Sequence, residues 1–285
     1  MKIGRCLNGN GEIFWAVIHT GDSTVQPLIG ELKDWSSAVI AGDMASVPLE
    51  DIFLTLSDLQ LLPPVERGNS VFVVGANYLK HLDEMEIEPS QRPHAFLKSW
   101  NALIGPGDPI QLPAVTQQLD HEVELVAVIG SSLVAGQDPQ SCILGYTAGN
   151  EMSGRDLQPG TPGIGMDLFA AKSLYHTNPV GPWIVTIDEF ESGKPDLRMT
   201  LSVNGVTHQD GRSSEMNWSP AELVDWVNII CRVEPGDIIF TGTPEGVGWK
   251  AGRFLQDGDL VETEIERIGK LTNKVVSASG RAFPG

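Results

Sequence analysis

A chain of 285 residues with 41% hydrophobic and 20% charged residues has the composition of a folded globular protein with material for a large core, which excludes a disordered or membrane-embedded class. Its formal net charge is −18, from 19 Lys and Arg against 37 Asp and Glu. That charge repels a nucleic-acid backbone, and any site for an anionic substrate must carry its own local cation or basic side chains.

Met1 and Lys2 lead straight into alternating sequence with no apolar leader, and no apolar run has the length of a bilayer span, so the expected location is the cytoplasm. Residues 2–7 and 12–19 read as strands around Asn8-Gly9 and Asn10-Gly11, a hairpin signal, and residues 35–41 as a helix. Residues 59–64 read as a connector, because Pro63 and Pro64 continue neither a helix nor a central strand. The expected division is therefore 1–64, a small β/α unit, and 65–285. In the second unit, strand candidates recur at residues 71–75, 122–130, 183–187, 197–204, 237–241 and 260–265. A helix begins at Ser219-Pro220, with Glu222 placed to close a capping box; Leu223, Trp226, Val227 and Ile230 are expected to face the core. The balance is β-rich α+β, without the strand–helix alternation of a doubly wound sheet. Cys6, Cys142 and Cys231 have neither disulfide nor zinc-site spacing and read as apolar fillers.

The chemistry concentrates around residues 119–130. In a strand, Glu122 and Glu124 point to one face, continued by Val126 and Val128, while Val123, Leu125, Ala127 and Ile129 make the opposite face apolar. Glutamates ordinarily lie on a solvated face. A strand covered on both sides instead buries two like charges, and these need a cation. A third ligand is expected from the end of the run 145–151; spacing alone does not choose Glu151 over Asp156. Oxygen-only ligation selects a hard ion, Mg²⁺ first, with Mn²⁺ or Ca²⁺ as alternatives. His81 and Glu84 share a face if their segment is helical, as a general-base pair or as a surface pair. Lys172, in unusually apolar surroundings, reads either as solvated surface or as part of the site.

These segments resemble the fumarylacetoacetate hydrolase family over residues 71–276. The resemblance rests on Asn77, Tyr78, His81 and Glu84; on Glu122, Val123, Glu124 and Leu125; on Asn150, Glu151, Ser153, Arg155, Asp156 and Gln158; on Lys172-Ser173 before Gly181, Pro182, Trp183 and Ile184; and on residues 241–248. It implies a mixed β-sandwich roll, a mobile lid carrying His81, and a homodimer. It implies Glu122, Glu124 and Glu151 as metal ligands, His81 and Glu84 as a water-activating dyad, and Lys172 as a catalytic cation. Arg155, Gln158 and Thr243 match positions near the substrate or its metal.

The activity so implied is metal-dependent hydrolysis of a carbon–carbon bond in an acylpyruvate or related 1,3-dicarbonyl oxo acid, in the catabolism of aromatic or related compounds. The alternatives are decarboxylation or tautomerisation of a small oxo acid such as oxaloacetate, and a non-catalytic, metal-stabilised binding protein. Two residues depart from the family pattern: Glu151 stands where the motif has Asp, and Gly154 where it has Ala. The extra methylene of Glu151 must be absorbed by the backbone, the rotamer or a water, and Gly154 gives the chain room to adjust. Residues 85–93 and 158–168 are expected to shape the acyl side of the pocket, and Trp218 and Trp249 either to line it or, in preference, to serve packing.

Overall fold

The computed structural model describes residues 1–160, 163, 165–190 and 195–278. The fold is sheet-rich α+β. A 12-stranded mixed sheet carries at its centre the strand Val123–Ile129, flanked by Ile143–Asn150 on one side and Ile238–Phe240 on the other. A five-stranded sheet, with Arg198–Val203 and Leu260–Ile265 at its middle, packs across one face of it.

The alternation read from residues 122–130 is what divides the core. Every residue of Val123–Ile129 is buried. Val123, Leu125, Ala127 and Ile129 join the cluster shared with Met199, Leu201, Val261 and Leu271 of the smaller sheet. Val126 and Val128 join a second cluster on the opposite face, with Trp35 and Leu32 of the helix Leu32–Ile40. Burying such a side chain contributes on the order of 1.5–3 kcal/mol, so both faces anchor this strand and fix its register.

The N-terminal hairpin forms as expected, Lys2–Leu7 against Ile13–His19. It extends the large sheet instead of forming one of its own: Lys2 pairs with Val185 and Ile3 with Ile184 of the strand Asn178–Thr186. The expected connector contains a short strand, Gln60–Leu62, that also pairs with Lys2–Leu7 and ends just before the two prolines. We propose the boundary near Val65 as a division of the chain rather than of the sheet.

The helix Pro220–Cys231 has the capping box, with Ser219 and Glu222 bonding each other's backbone. Its core stripe differs from expectation. The i, i+3, i+4, i+7 set starts at Pro220, so Pro220, Leu223, Val224 and Val227 are buried while Ile230 is 63% exposed. Among the described residues no helix is long and apolar enough to cross a membrane.

Candidate active site

Antiparallel pairing of the two central strands assembles the acidic cluster. Val123 lies opposite Asn150, so Glu122 and Glu151 sit just past the paired ends, and the Glu151 N–H donates to the Glu122 carbonyl at 2.8 Å. Carboxylate oxygens of Glu122, Glu124 and Glu151 lie within 4.8 Å of one another, and all three residues are buried. Asp156, which spacing left as an alternative, lies elsewhere: its carboxylate accepts from Thr116 Oγ1 and the Gln117 N–H, holding a turn.

Each carboxylate has a different electrostatic setting. Glu122 accepts from Arg155 at 2.6 Å and Lys172 at 2.8 Å. Burial pushes its carboxyl up, but these two cations overcome burial and hold it well below the ordinary carboxylate range. Glu151 is bridged by two ammonium groups, Lys98 on Oε1 and Lys172 on Oε2. Burial still raises its carboxyl, against those two charges. Glu124 accepts only the Gly242 N–H, at 2.7 Å, and makes no ion pair among the described residues. Burial, then the charges of Glu151 and Glu122, drive it well above the ordinary range. Burial alone would depress Lys172, but Glu122 and Glu151 outweigh it and raise its ammonium.

These residues fit a divalent cation. The donor set is all carboxylate oxygen, suited to a hard ion, and the buried charge of Glu124 lacks a cationic partner that an ion would supply.

His81 and Glu84 lie on the helix Leu79–Met85, and His81 is buried there. Nδ1 of His81 is 3.1 Å from Glu84 Oε2, and the Gly246 N–H donates to both Glu84 oxygens at 3.1 and 3.2 Å. Glu84 is thereby fixed, and it selects the tautomer with the proton on Nδ1, leaving Nε2 for proton transfer. Lys80 reaches Glu215, and Lys250 pairs with Glu86 at 2.7 Å, exposed ion pairs at either end of this helix.

A cavity of about 200 Å³ is lined jointly by the three glutamates, His81, Arg155, Gln158, Lys172 and Thr243. Its remaining wall is mostly apolar, including Val73, Met85, Ile87, Phe96, Met166 and Leu168. The Arg and Lys that line it are already committed: Arg155 to Asp120 and Glu122, Lys172 to Glu122 and Glu151. Thr243 lines the cavity, but its hydroxyl donates to the Val123 carbonyl and accepts from Gln209. Residues from both expected pocket segments line it, Met85 and Ile87 from one, Gln158, Met166 and Leu168 from the other; positions 161, 162 and 164 lie outside the described residues. Neither Trp218 nor Trp249 is among the lining residues.

Sequence reasoning missed two groups. Asp120 is fully buried and binds Arg155 Nε at 2.8 Å together with the N–H groups of Gly248 and Trp249. Lys98 has no exposed side-chain surface and lies behind Glu151. The available signal was alternation: Lys98 follows Phe96 on one face of the strand His94–Lys98, while Leu97 between them is 59% exposed.

A sheet-rich fold carries a buried all-carboxylate cluster, flanked by cations and lining a small cavity, an arrangement suited to a metal-dependent enzyme. Residues 70–276 match the family model described as the fumarylacetoacetate (FAA) hydrolase C-terminal domain. The chain belongs to the fumarylacetoacetate hydrolase family. It is similar to the oxaloacetate tautomerase FAHD2A of Bos taurus, with 33% identity over 94% of this chain and 85% of that one. Among solved structures it is similar to the 5-carboxymethyl-2-hydroxymuconate delta-isomerase from Mycobacterium smegmatis, at TM-score 0.80 and 32% identity, covering 98% of this chain and all of that one. It is similar also to the fumarylacetoacetate hydrolase from Exiguobacterium antarcticum, at TM-score 0.79 and 32% identity with 98% of this chain and all of that one covered.

Proposed function

We propose that this protein is a metal-dependent hydrolase that cleaves a carbon–carbon bond in an acylpyruvate with a neutral or apolar acyl arm. The observation that carries this reading is the cavity shared by three buried carboxylates, Lys172 and His81, with Glu84 holding His81 from outside the cavity wall. A divalent ion, Mg²⁺ first, held by Glu122, Glu124 and Glu151 would supply Lewis acidity at the oxo-acid end of the substrate. His81 removes a proton from water through Nε2 while its Nδ1–H stays on Glu84. The resulting hydroxide adds to the distal carbonyl carbon. The bond from that carbon to the methylene then breaks, its electron pair leaving with the pyruvate enolate, and a proton adds at the methylene carbon. One water is consumed and two carboxylic acids form. Lys172 stabilises the developing negative charge, and Arg155 with Gln158 orients the oxo-acid end.

The apolar wall and the committed state of Arg155 and Lys172 support the neutral acyl arm, because a distal carboxylate would meet no spare Lys or Arg among the described lining residues. A second reading is tautomerisation or decarboxylation of oxaloacetate, the first of which is the activity named for the bovine relative. It needs the same enolate but consumes no water. NMR of products from an alkyl acylpyruvate and from enol-oxaloacetate separates the readings: hydrolysis yields two acids, decarboxylation yields CO₂, and tautomerisation changes only the keto-to-enol ratio. Turnover of oxaloacetate without any two-acid product transfers the assignment to the second reading. A homodimer is proposed from the family resemblance, with sedimentation as its measurement.

A further inference from the structure

Glu151 is gripped from several sides. Its backbone N–H is tied to Glu122, its Oε2 to Lys172, and its Oε1 to Lys98. Lys98 is itself anchored: Nζ donates to Asn178 Oδ1 at 2.6 Å, and that same oxygen accepts the N–H of Met152, the residue after Glu151, at 2.8 Å. Asn178 is oriented in turn by its Nδ2 donating to Thr177 Oγ1 at 2.7 Å. Lys98 does not line the cavity and its side chain is fully covered, so it cannot touch a substrate. Burying an ammonium costs several kcal/mol before compensation, and this one is spent on Oε1 of Glu151, the oxygen that Lys172 does not hold.

We propose that Lys98 is a positioning residue for the metal centre: paired with Oε1 while Lys172 holds Oε2, it fixes the Glu151 carboxylate in the orientation that would serve an ion. This rests on the reading of the three glutamates as a cation site. The length of residue 151 is what makes the arrangement work. A shorter carboxylate would be drawn back by one carbon–carbon bond, roughly 1.5 Å, away from Lys98. Glu151 and Lys98 thus act as a matched pair, with Asn178 holding the lysine in place.

The sign of one effect separates positioning from charge balance. A lysine that merely adds positive charge opposes a nearby cation, so removing it would tighten metal binding. A lysine that positions a ligand weakens binding when removed, by roughly 10–100-fold for outer partners of metal ligands. The experiment is Mn²⁺ titration of the metal-free full chain by calorimetry, with Mn²⁺ electron paramagnetic resonance as a second readout. Lys98→Met and Asn178→Ala are each expected to raise the Kd by about tenfold or more. On a Glu151→Asp background Lys98→Met is expected to cause no further weakening, because the shorter side chain has already lost the contact. Unchanged or tighter binding by Lys98→Met overturns the proposal. If that variant loses its native circular dichroism, Asn178→Ala decides, since it loosens the lysine and keeps its charge; unchanged affinity there overturns the proposal too. Absence of Mn²⁺ binding by the unaltered protein removes the cation-site reading itself, and this inference with it.

Discussion

Glu124 differs from its neighbours because no cation within the described structure pairs with it. Burial and the Glu151 and Glu122 charges lift its carboxyl well above the ordinary range in the metal-free protein. Its folded value therefore exceeds its unfolded one. The stability linked to this group is fully present below the ordinary carboxylate range and is lost as pH rises through the raised value. Glu122 runs the other way: its folded value is depressed, so its contribution is present above the ordinary range and lost as pH falls through the lowered value. A divalent ion held there would remove the Glu124 penalty. Melting curves between about pH 5 and about pH 9, with chelator and with saturating Mg²⁺, should diverge as pH rises; parallel curves would contradict this account of Glu124. His81→Ala gives a second residue-scale prediction. The variant should retain Mn²⁺ binding while hydrolysis falls by about 10²–10⁴-fold, the range for loss of a general base. Full hydrolytic activity would end the water-activation role. Glu122 and Glu124 were legible in the sequence because strand alternation shows up as a two-residue period. Glu151 was reached through the family motif, since a residue brought in across a sheet has no local spacing. Lys98 was overlooked because a lysine in a strand reads as exposed; alternation was its signal, with Lys98 following Phe96 on the face opposite the exposed Leu97.

The element that carries the site is the paired hairpin of Val123–Ile129 and Ile143–Asn150, and its register depends on what lies opposite each glutamate. Gly149 pairs with Glu124. A Cβ added there would fall 2.6 Å from Phe240 Cε1 and 2.7 Å from Val126 Cγ2, atoms packed on the same face as the glutamates. Gly149→Ala gains a little β-propensity but must displace a ring and a buried valine, and overpacking of that kind costs about 1–3 kcal/mol. The steric effect wins because both neighbours are fully buried. Urea denaturation should show a lower midpoint, and metal affinity should fall as the strand shifts beneath Glu124; an unchanged midpoint would show that the contact is relieved cheaply. The glycine's necessity was invisible in sequence, where it reads as a weak spot in a strand. Helix orientation was only partly legible for a related reason: in Pro220–Cys231 the proline itself opens the apolar stripe, so counting from Leu223 misplaced Ile230. The N-terminal hairpin, set by its own turn residues, was read correctly, but its continuation into the large sheet depends on pairing across about 180 residues, between Ile3 and Ile184.

At the scale of the molecule, a chain with net charge −18 gathers Arg155, Lys172 and Lys98 around one acidic cluster. Counting Asp120 and Glu84 with the three glutamates, five acids face three bases, 3 − 5 = −2, a deficit that one divalent ion would balance. For the anionic oxo acid proposed as substrate, that local compensation would be what allows an acidic protein to receive it, since the long-range field opposes it. It also separates an enzyme from a protein in which the ion merely braces the fold. Ligands that bind the native state stabilise it by mass action, about 2.7 kcal/mol at a hundredfold excess over Kd. With roughly 2–4 °C per kcal/mol for domains of some 150–250 residues, saturating Mg²⁺ should raise the melting temperature by roughly 5 °C or more. Oxalate, which copies the chelating end of a 2-oxo acid, should add a further rise only when Mg²⁺ is present, because Glu122, Glu124 and Glu151 alone would repel it. A rise with Mg²⁺ and none from oxalate would favour the bracing role and leave His81, Glu84 and Lys172 without a substrate to act on. A rise from oxalate in chelator would instead place anion binding on the basic side chains, independent of the ion.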